Sequence, residues 1–343
     1  MPKLKILILG TDEIWSIDKL YYKYFLHNNI DVKFFATENI FADFYNKSII
    51  NKLIFKLSLS DIYQKIHRET LTVIDSYQPS IIWVFKGMSL NPKLLHHIKK
   101  LGIMLVNYNA DNPFIFSGPG SGNINITNSI ELYDLHLTYN LAVQKKLEED
   151  YKLKTGYLPF GYEIPQAIID EPINEINKIC FIGNPDNYRA KLITELLNNN
   201  VIMDVYGHNW QKFIRHKNLT IYGSVYGDDL WRTLKKYRLQ LNIMRVHNLN
   251  SHNMRSFEVP GSGTIMIAPD TKEHRLFFED KKEVFLYKDL SHCAKITGEV
   301  LQLSEQDAAQ LRENAKQRTI NSQYSYAERA KEALSMIKTA YES

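Results

Sequence analysis

The residues with the clearest capacity to bind a charged ligand lie in the segment 250–277. Arg255 carries a planar cation that suits phosphate oxygens, and Glu258, about one helical turn later, can accept hydrogen bonds from two neighbouring hydroxyls of a ribose. The pattern predicts a strand at Leu239–Met244, a loop, and a helix that begins near Asn253. A helix start presents unpaired N–H groups and a positive dipole end, which favour a phosphate or diphosphate. The alternative, and the commoner meaning of a lone Arg–Glu pair, is a surface ion pair.

Metal and cofactor chemistry find little support in the sequence. The chain has no His-Glu-x-x-His motif, and no Asp-x-Asp between strands of the kind that metal-dependent sugar transferases use. Its two cysteines, Cys180 and Cys293, are too few for a Cys-rich zinc site or a disulfide framework. The glycine-rich loop at residues 117–122 lacks the Lys-Ser/Thr pair of a phosphate-binding loop. We therefore expect neither a metal nor an organic cofactor.

Length and composition limit the class of protein. The 343 residues suggest two domains, and a hydrophobic fraction of 44% is enough to fill ordinary cores. A formal net charge of +4 is too small to argue for nucleic-acid binding. The longest apolar runs are strand-sized, below the roughly 18 residues of a membrane span, and the N-terminus lacks the pattern of a signal peptide. We expect a cytoplasmic protein without a nucleic-acid partner.

Strand-like and helix-like segments alternate through both halves of the chain. The strand candidates of the first half are Lys3–Leu9, Asp31–Ala36, Ser80–Phe85 and Gly102–Val106. The alternation breaks at residues 162–177, which we interpret as a linker, and resumes at the strand Ile179–Ile182. Apolar strands separated by helices predict parallel sheets covered on both faces, with the βα loops gathered at the carboxyl edge. The sequence thus predicts two successive α/β domains with a crevice between them.

Several motifs occur in an informative order. The run from Asn253 to Glu258 reads Asn-x-Arg-Ser-Phe-Glu, and a turn that contains Gly263 follows it. The other motifs, in chain order, are Leu158–Gly161, Cys180–Gly183 with Tyr188 and Arg189, Val205–Trp210, Tyr222–Val225, and Thr271 and Glu273 before Phe277. In this order they resemble the group 1 glycosyltransferases, specifically the CgeB-like (spore maturation protein) branch.

The resemblance implies a GT-B fold, an α/β architecture of two Rossmann-like domains that face each other across a cleft. It implies an acceptor domain at residues 1–161, the linker at 162–177, and a nucleotide-sugar donor domain at 178–325. A C-terminal helix at 326–343 would cross back to the N-terminal domain. The implied activity is sugar transfer from a nucleotide-sugar to a hydroxyl of a glycan, a lipid-linked molecule or a protein.

The resemblance also assigns roles in diphosphate and ribose binding. Gly183 would close the first strand of the donor domain, and Arg189, at the adjoining helix start, would hold the diphosphate with Arg255. Glu258, in the motif that begins at Asn253, would bind the ribose hydroxyls. A plain turn glycine at Gly183 and a solvated helix residue at Arg189 are the alternatives.

The nucleobase and the donor sugar have further candidates on the same resemblance. The loop with Gly223 and Val225 would meet the base, and His208 and Trp210 would wall that pocket, although Trp210 is more typical of a core residue. Thr271 would face the donor sugar.

One position departs from the family pattern. Many group 1 enzymes have a second Glu eight positions before the helix Glu, and this chain has Asn250 there. An amide can still bind a sugar hydroxyl. Group 1 ancestry favours transfer with retention, but the departure leaves inversion open. It also leaves open a catalytically inactive relative that binds carbohydrate or nucleotide, and a GT-B-type epimerase or phosphorylase.

The first half offers one candidate for the acceptor site. The segment Val106–Pro113 follows a strand, and the relatives carry a similar aspartate after this strand, so Asp111 is implied as an acceptor-site residue. In an inverting enzyme it would also be the general base that removes the proton of an acceptor hydroxyl. The alternative is a turn residue shortly before a proline.

The segment Lys47–Leu57 bears on location. Five residues share one helical face, namely Ile49, Ile50, Leu53, Ile54 and Leu57, and Lys47, Lys52 and Lys56 lie beside it. The pattern fits a helix that lies on an anionic membrane, which predicts peripheral contact at the inner face of the membrane. It fits equally a helix that packs its apolar face on the sheet and keeps its lysines in water, which we take as the more usual arrangement.

Overall fold

The computed structural model describes residues 4–343 except residues 14, 58 and 117–120, so most of the glycine-rich loop lies outside the described residues. The chain divides into two compact units. Unit 1 comprises Met1–Pro159 and Tyr326–Ser343, and unit 2 comprises Phe160–Ser325. Among the described helices, none is long and apolar enough to cross a membrane.

Unit 1 is built on a parallel six-stranded sheet in the order β2-β1-β3-β4-β5-β6. Its strands are β1 (Lys5–Leu9), β2 (Asp31–Phe35), β3 (Ile81–Phe85), β4 (Met104–Tyr108), β5 (Leu135–Thr138) and β6 (Thr155–Tyr157). Its helices are α1 (Ile17–His27), α2 (Thr37–Lys47), α3 (Ile49–Lys56), α4 (Ile62–Tyr77), α5 (Pro92–Lys100), α6 (Ile124–Ser129) and α7 (Leu141–Glu149). Ile6–Leu9 and all of β3 are buried, as expected for strands covered on both faces.

Unit 2 repeats this architecture with the sheet order β12-β11-β10-β7-β8-β9, again parallel throughout. Its strands are β7 (Ile176–Ile182), β8 (Met203–Tyr206), β9 (Leu219–Tyr222), β10 (Tyr237–Leu241), β11 (Ile265–Pro269) and β12 (Phe285–Tyr287). Its helices are α8 (Gln166–Asp170), α9 (Asn187–Asn198), α10 (Gly227–Lys236), α11 (Arg255–Gly261), α12 (Lys272–Phe277), α13 (Leu290–Leu301) and α14 (Glu305–Asn321).

The last helix, α15 (Tyr326–Glu342), belongs to unit 1. Its first residue, Tyr326, is buried and packs edge-on against Tyr21 of α1, with ring centroids 5.8 Å apart. The ring centroid of Trp83 on β3 lies 4.9 Å from that of Tyr21, so the three rings form one cluster. The chain therefore returns to the first unit after α14, and a buried aromatic cluster fixes its return.

Each sheet has one point at which the strand order reverses direction. In unit 1 this switch lies between β1 and β3, and in unit 2 it lies between β7 and β10. In open α/β sheets, the loops that leave neighbouring strands in opposite directions open a crevice at the carboxyl edge, where ligands bind. The fold therefore marks one place in each unit at which polar side chains are expected to have a function.

The expectation of a linker between the two units is wrong. The segment 162–177 is more than a linker, because it contains α8 and the start of β7. The helix α11 runs through Pro260 and ends at Gly261. Pro260 lies in the last turn, so its missing N–H removes only one helical hydrogen bond.

The packing expected of the 47–57 segment is also wrong. α3 begins after Ser48, whose hydroxyl accepts a hydrogen bond from the backbone N–H of Asn51. Phe55, rather than the isoleucines and leucines of the apolar stripe, packs on the body of unit 1. Ile49 and Ile50 remain 85% and 67% exposed.

Candidate functional site

Arg189 lies at the strand-order switch of unit 2. One guanidinium N–H group donates to the carbonyl of Asn184, which follows β7, and another donates to the carbonyl of Ile243, which follows β10, at 3.1 and 3.0 Å. The Asp186 side chain caps α9 by accepting from the Arg189 backbone N–H at 2.9 Å. Arg189 therefore ties together the two loops that form the crevice, and its charge is held at their junction.

Two further arginines surround this position. Burial and the positive charges of Arg245 and Arg255 lower the pKa of Arg189 to about 10, so both neighbouring arginines act on the charge of Arg189. The Nε atoms of Arg189 and Arg255 are buried without a hydrogen-bond partner among the described residues. Clustered cations with unused donors form a ready site for a polyanion such as a diphosphate. Sequence reasoning missed Arg245, which follows β10 by four residues.

Glu258 lies beside this cluster on α11. The residue is 3% exposed, and its carboxylate forms an ion pair with the Arg255 guanidinium. The alternative of a surface ion pair is therefore wrong, because the Glu258 side chain is buried and only the Arg255 side chain is partly exposed, at 26%. A buried carboxylate next to a cation cluster can accept hydroxyl groups on one side while it keeps its charge balanced on the other.

The start of α11 differs from an open anion site. The backbone N–H of Ser256 donates to Asn253, and those of Phe257 and Glu258 donate to the carbonyl of Met254. The Asn253 amide also donates to Asn242 at 2.8 Å. These N–H groups already have acceptors, so the guanidinium groups, rather than the helix start, carry most of the capacity to bind an anion.

Behind α11 lies a buried histidine network. His274 donates from Nδ1 to the carbonyl of Pro269 at 2.8 Å and accepts the Ser256 hydroxyl on Nε2, also at 2.8 Å. Burial lowers the pKa of His274 to about 4, so its imidazole is neutral at pH 7. Through Ser256, which contacts Asn253, the network fixes the position of the Arg255–Glu258 segment.

Thr271 and Glu273 support the same segment. The Thr271 hydroxyl caps α12 by accepting from the His274 backbone N–H at 3.0 Å, and it donates to the carbonyl of Ser251 at 3.2 Å. Glu273 is buried and accepts from Ser251 at 2.6 Å and from His252. These side chains hold the 250–256 loop, which includes Asn250, against α12.

Two cavities in unit 2 are lined by residues that the sequence singled out. One has a volume of about 300 Å³ and its wall includes Tyr188, Met244, Asn250 and Thr271. The other has a volume of about 380 Å³ and its wall includes Gly207, His208, Gly223 and Ser224. The structure thus brings together His208 and Gly223, predicted for the base, and separately Asn250 and Thr271, predicted for the sugar side.

Three of the remaining predicted residues have clear positions. Gly183 ends β7, and its carbonyl accepts the indole N–H of Trp210 at 2.8 Å. Trp210 is fully buried, so it belongs to the core and does not wall a pocket. Val225 is half-buried and does not line either cavity.

In unit 1 the polar residues at the carboxyl edge form a second group. Lys86 follows β3 and Asp111 follows β4, and Lys86 Nζ lies 2.6 Å from Asp111 Oδ2. Glu38, which follows β2 and which sequence reasoning missed, accepts the Ser89 backbone N–H at 3.1 Å. Burial raises the pKa of Glu38, while the nearby Lys86 opposes that shift. The described residues of both units hold no group of three or more metal-ligating side chains.

The chain is similar to several known proteins. Residues 189–335 match a protein-family model described as glycosyl transferase-like. A search of curated proteins gave no match. Among solved structures, sucrose-phosphate synthase from Thermosynechococcus elongatus superposes with a TM-score of 0.70 at 9% identity, over 99% of each chain. A glycosyltransferase from Rickettsia africae gives 0.68 at 12% identity, also over 99% of each chain.

A third structure, HepE of Anabaena in complex with UDP-glucose, gives a TM-score of 0.65 at 12% identity, over 98% of this chain and 100% of that one. Identities this low establish the fold alone, and they confirm the predicted GT-B architecture. The family match to residues 189–335 bears out the predicted enzyme class, a glycosyltransferase.

Proposed function

We propose that the protein transfers a sugar from a nucleotide-sugar to a hydroxyl group of a glycan, a lipid-linked molecule or a protein. The observation that carries this proposal is the group of three arginines, 189, 245 and 255, at the strand-order switch of unit 2. All three arginines lie within residues 189–335, the segment that matches the glycosyl transferase-like family. We assign the chain to the CgeB-like branch of the group 1 enzymes on the motif order that begins at Leu158.

The arginines would act on the leaving group. When the bond between the anomeric carbon and the diphosphate oxygen breaks, negative charge grows on the diphosphate. The buried Nε–H groups of Arg189 and Arg255 have no hydrogen-bond partner among the described residues and can donate to this charge, and the partly exposed Arg245 adds a further cation. Fixed donors that are aimed at developing charge lower the barrier without reorganising. Charge compensation is thus assigned to guanidinium groups rather than to a metal ion.

The rest of the donor would extend from this point in two directions. Glu258 would accept the ribose hydroxyls, and the cavity at His208 and Gly223 would take the base. The cavity at Asn250 and Thr271 would take the sugar. Support for a uracil base comes from HepE, whose structure contains UDP-glucose, so UDP is the first nucleotide to test.

The acceptor would use the carboxyl edge of unit 1. Its hydroxyl oxygen attacks the anomeric carbon, and its proton must leave as the new bond forms. Asp111, ion-paired with Lys86, is the assigned acceptor-site carboxylate, and in an inverting reaction it would receive that proton. Group 1 ancestry favours retention, in which the departing diphosphate would receive the proton and Asp111 would orient the hydroxyl.

Calorimetric titration with UDP, GDP, ADP, TDP and CMP tests the donor site. We expect one nucleotide to bind at micromolar strength to the wild type, and Glu258→Gln to weaken that binding at least about tenfold, or about 1.4 kcal/mol. Glu171→Gln is the matched control, because Glu171 also pairs with an arginine in unit 2, Arg232, but follows α8 and has a side chain that is 38% exposed. Equal nucleotide affinity in wild type and Glu258→Gln would contradict the assignment.

Turnover separates the transferase from its two rivals. A transferase releases the nucleoside diphosphate from the matching nucleotide-sugar, slowly to water and faster with an acceptor. An inactive relative, which Asn250 in place of the upstream Glu would favour, binds the nucleotide without any release. An epimerase converts the nucleotide-sugar without releasing nucleotide.

A cytoplasmic location stays a prediction.

A further inference from the structure

The helix α3 carries an apolar face that the fold leaves in solvent. Ile49 is 85% exposed, Ile50 67%, Leu53 56% and Leu57, which follows the last turn, 59%. At 100° per residue these four positions fall within an arc of about 100°. A contiguous stripe of large aliphatic side chains in water is costly, and it usually marks an interaction surface.

The body of unit 1 fixes which way this face points. Phe55 lies on the opposite side of α3 and packs against Phe41, Tyr45 and Tyr63, with ring centroids 5.1, 5.7 and 6.0 Å away. The Ser48 cap fixes the start of the helix. Rolling the helix to bury its aliphatic stripe would therefore pull Phe55 out of an aromatic cluster, so the exposed face is a stable property of the fold.

The charged side chains on α3 and at the end of α2 have one sign. Lys47 ends α2, and Lys52 and Lys56 flank the aliphatic residues on α3. The sequence from Phe44 to Ser60 contains no Asp or Glu. The ammonium group of Lys52 lies 5.3 Å from the centre of the Tyr45 ring on α2, beside the stripe. An apolar face bordered by lysines matches a surface that is apolar inside and anionic outside.

We propose that α3 lies on an anionic lipid bilayer, with Ile49, Ile50, Leu53 and Leu57 in the boundary between headgroups and acyl chains. Lys47, Lys52 and Lys56 would contact the anionic headgroups. This surface belongs to unit 1 alone, and it does not depend on the proposed sugar transfer. It gives a physical basis for the peripheral membrane contact expected from the sequence.

A second copy of the chain fits the same face less well. A two-fold contact brings the same patch of both copies together, so the three lysines of one copy would lie against the three of the other. The eight residues of α3 span about 12 Å, which is short for the roughly 800 Å² per partner of a stable protein interface. A bilayer has neither problem, because it supplies negative charge and does not require a large flat area.

Vesicle co-sedimentation of the full chain tests the proposal. The probes are vesicles of phosphatidylcholine alone and of phosphatidylcholine mixed with phosphatidylglycerol. We expect binding to the mixed vesicles, weakened at least about tenfold by the double variant Ile50→Ser and Leu53→Ser. The matched control is Ile202→Ser, because Ile202 is 56% exposed, as Leu53 is, but lies in unit 2. Its binding should equal that of the wild type.

A second variant separates charge from burial. Lys52→Gln with Lys56→Gln should weaken binding to mixed vesicles, and added salt should weaken the wild type in the same way. The substituted side chains are exposed, except for the half-buried Lys52, so thermal unfolding should be unchanged in all variants. Failure of the wild type to bind mixed vesicles, or equal binding by the serine double variant, would overturn the proposal. So would a concentration-dependent dimer that the serine variant abolishes without any vesicle binding.

Discussion

The ammonium group of Lys86 lies 2.6 Å from a carboxylate oxygen of Asp111, although 25 residues separate the two along the chain. They meet because β3 and β4 are neighbouring parallel strands, and each residue lies in the loop that follows its strand. Lys86 holds a left-handed backbone conformation, with φ of +60°, which is uncommon for a residue with a side chain. A strained position that aims a cation at a carboxylate is typical of functional sites.

Asp111→Asn should lower turnover by about 10²-fold or more if the carboxylate accepts the proton of the acceptor hydroxyl. Nucleotide affinity should not change, because the arginines that we assign to the nucleotide lie in unit 2. The matched control is Asp134→Asn, since Asp134 also pairs with a lysine in unit 1, Lys99, at 2.8 Å. Steady-state rates and calorimetry on the same samples measure both quantities. A retained rate in Asp111→Asn would remove Asp111 from the acceptor site.

Glu38→Gln should stabilise unit 1 and slow the reaction. Burial raises the pKa of Glu38, so the folded state disfavours the ionised form, and stability is lost as the pH rises through the range in which Glu38 ionises. Glutamine keeps an oxygen that can accept the Ser89 N–H but carries no charge. We expect a higher melting temperature at neutral pH together with a lower turnover. An unchanged turnover would show that Glu38 has no part in the reaction.

The sequence predicts the two α/β units and most strand ends, because apolar strands between helices have few alternative arrangements. Gly183, Arg189, Arg255 and Glu258 could be placed at one edge for that reason. Arg245 could not, because a loop separates it from β10 and only the folded chain brings it to Arg189.

The sequence also did not predict the supporting roles of several motif residues. Thr271 carries the pattern of a residue that faces the sugar, yet its hydroxyl caps α12 and bonds to Ser251, twenty residues earlier. Hydrogen bonds between distant segments leave no periodic signal. The exposed face of α3 was hidden for a related reason, since periodicity shows that a stripe exists but not whether the fold covers it.

Arg245→Ala should weaken nucleoside diphosphate binding about three- to tenfold and make the remaining affinity less sensitive to salt. Arg245 is 44% exposed and pairs only loosely with Asp186, at 3.8 Å, so its loss should not disturb the fold. Removing its charge should also raise the pKa of Arg189, since Arg245 is one cause of the lowered value. Arg215→Ala, at an exposed position elsewhere in unit 2, is the control. Calorimetry at low and high salt measures the effect, and identical salt dependence in wild type and Arg245→Ala would contradict it.

Acid should destabilise unit 2 through His274. The pKa of this histidine falls from 6.5 to about 4 on folding, because burial disfavours the charged form. Below about pH 6.5 the unfolded chain therefore binds a proton that the folded chain does not, and stability falls as the pH drops from about 6.5 to about 4. The full loss for a shift of this size is about 3 kcal/mol. His136 in unit 1 shifts in the same direction for the same reason, so both units should weaken in this range.

The variant His274→Gln isolates the contribution of unit 2. Glutamine cannot take up the proton, so the melting temperature of unit 2 should depend less on pH between about 6.5 and 4. At neutral pH this melting temperature should be lower than in the wild type, because the hydrogen bonds to Pro269 and Ser256 are weakened. Nucleotide affinity should fall with it, since the His274–Ser256 network positions the Arg255–Glu258 segment. His96→Gln, at an exposed position, should keep the wild-type pH dependence. Calorimetric scans at a series of pH values measure how steeply the melting temperature of unit 2 changes with pH. An equal change in His274→Gln and wild type would show that His274 does not govern the acid sensitivity of unit 2.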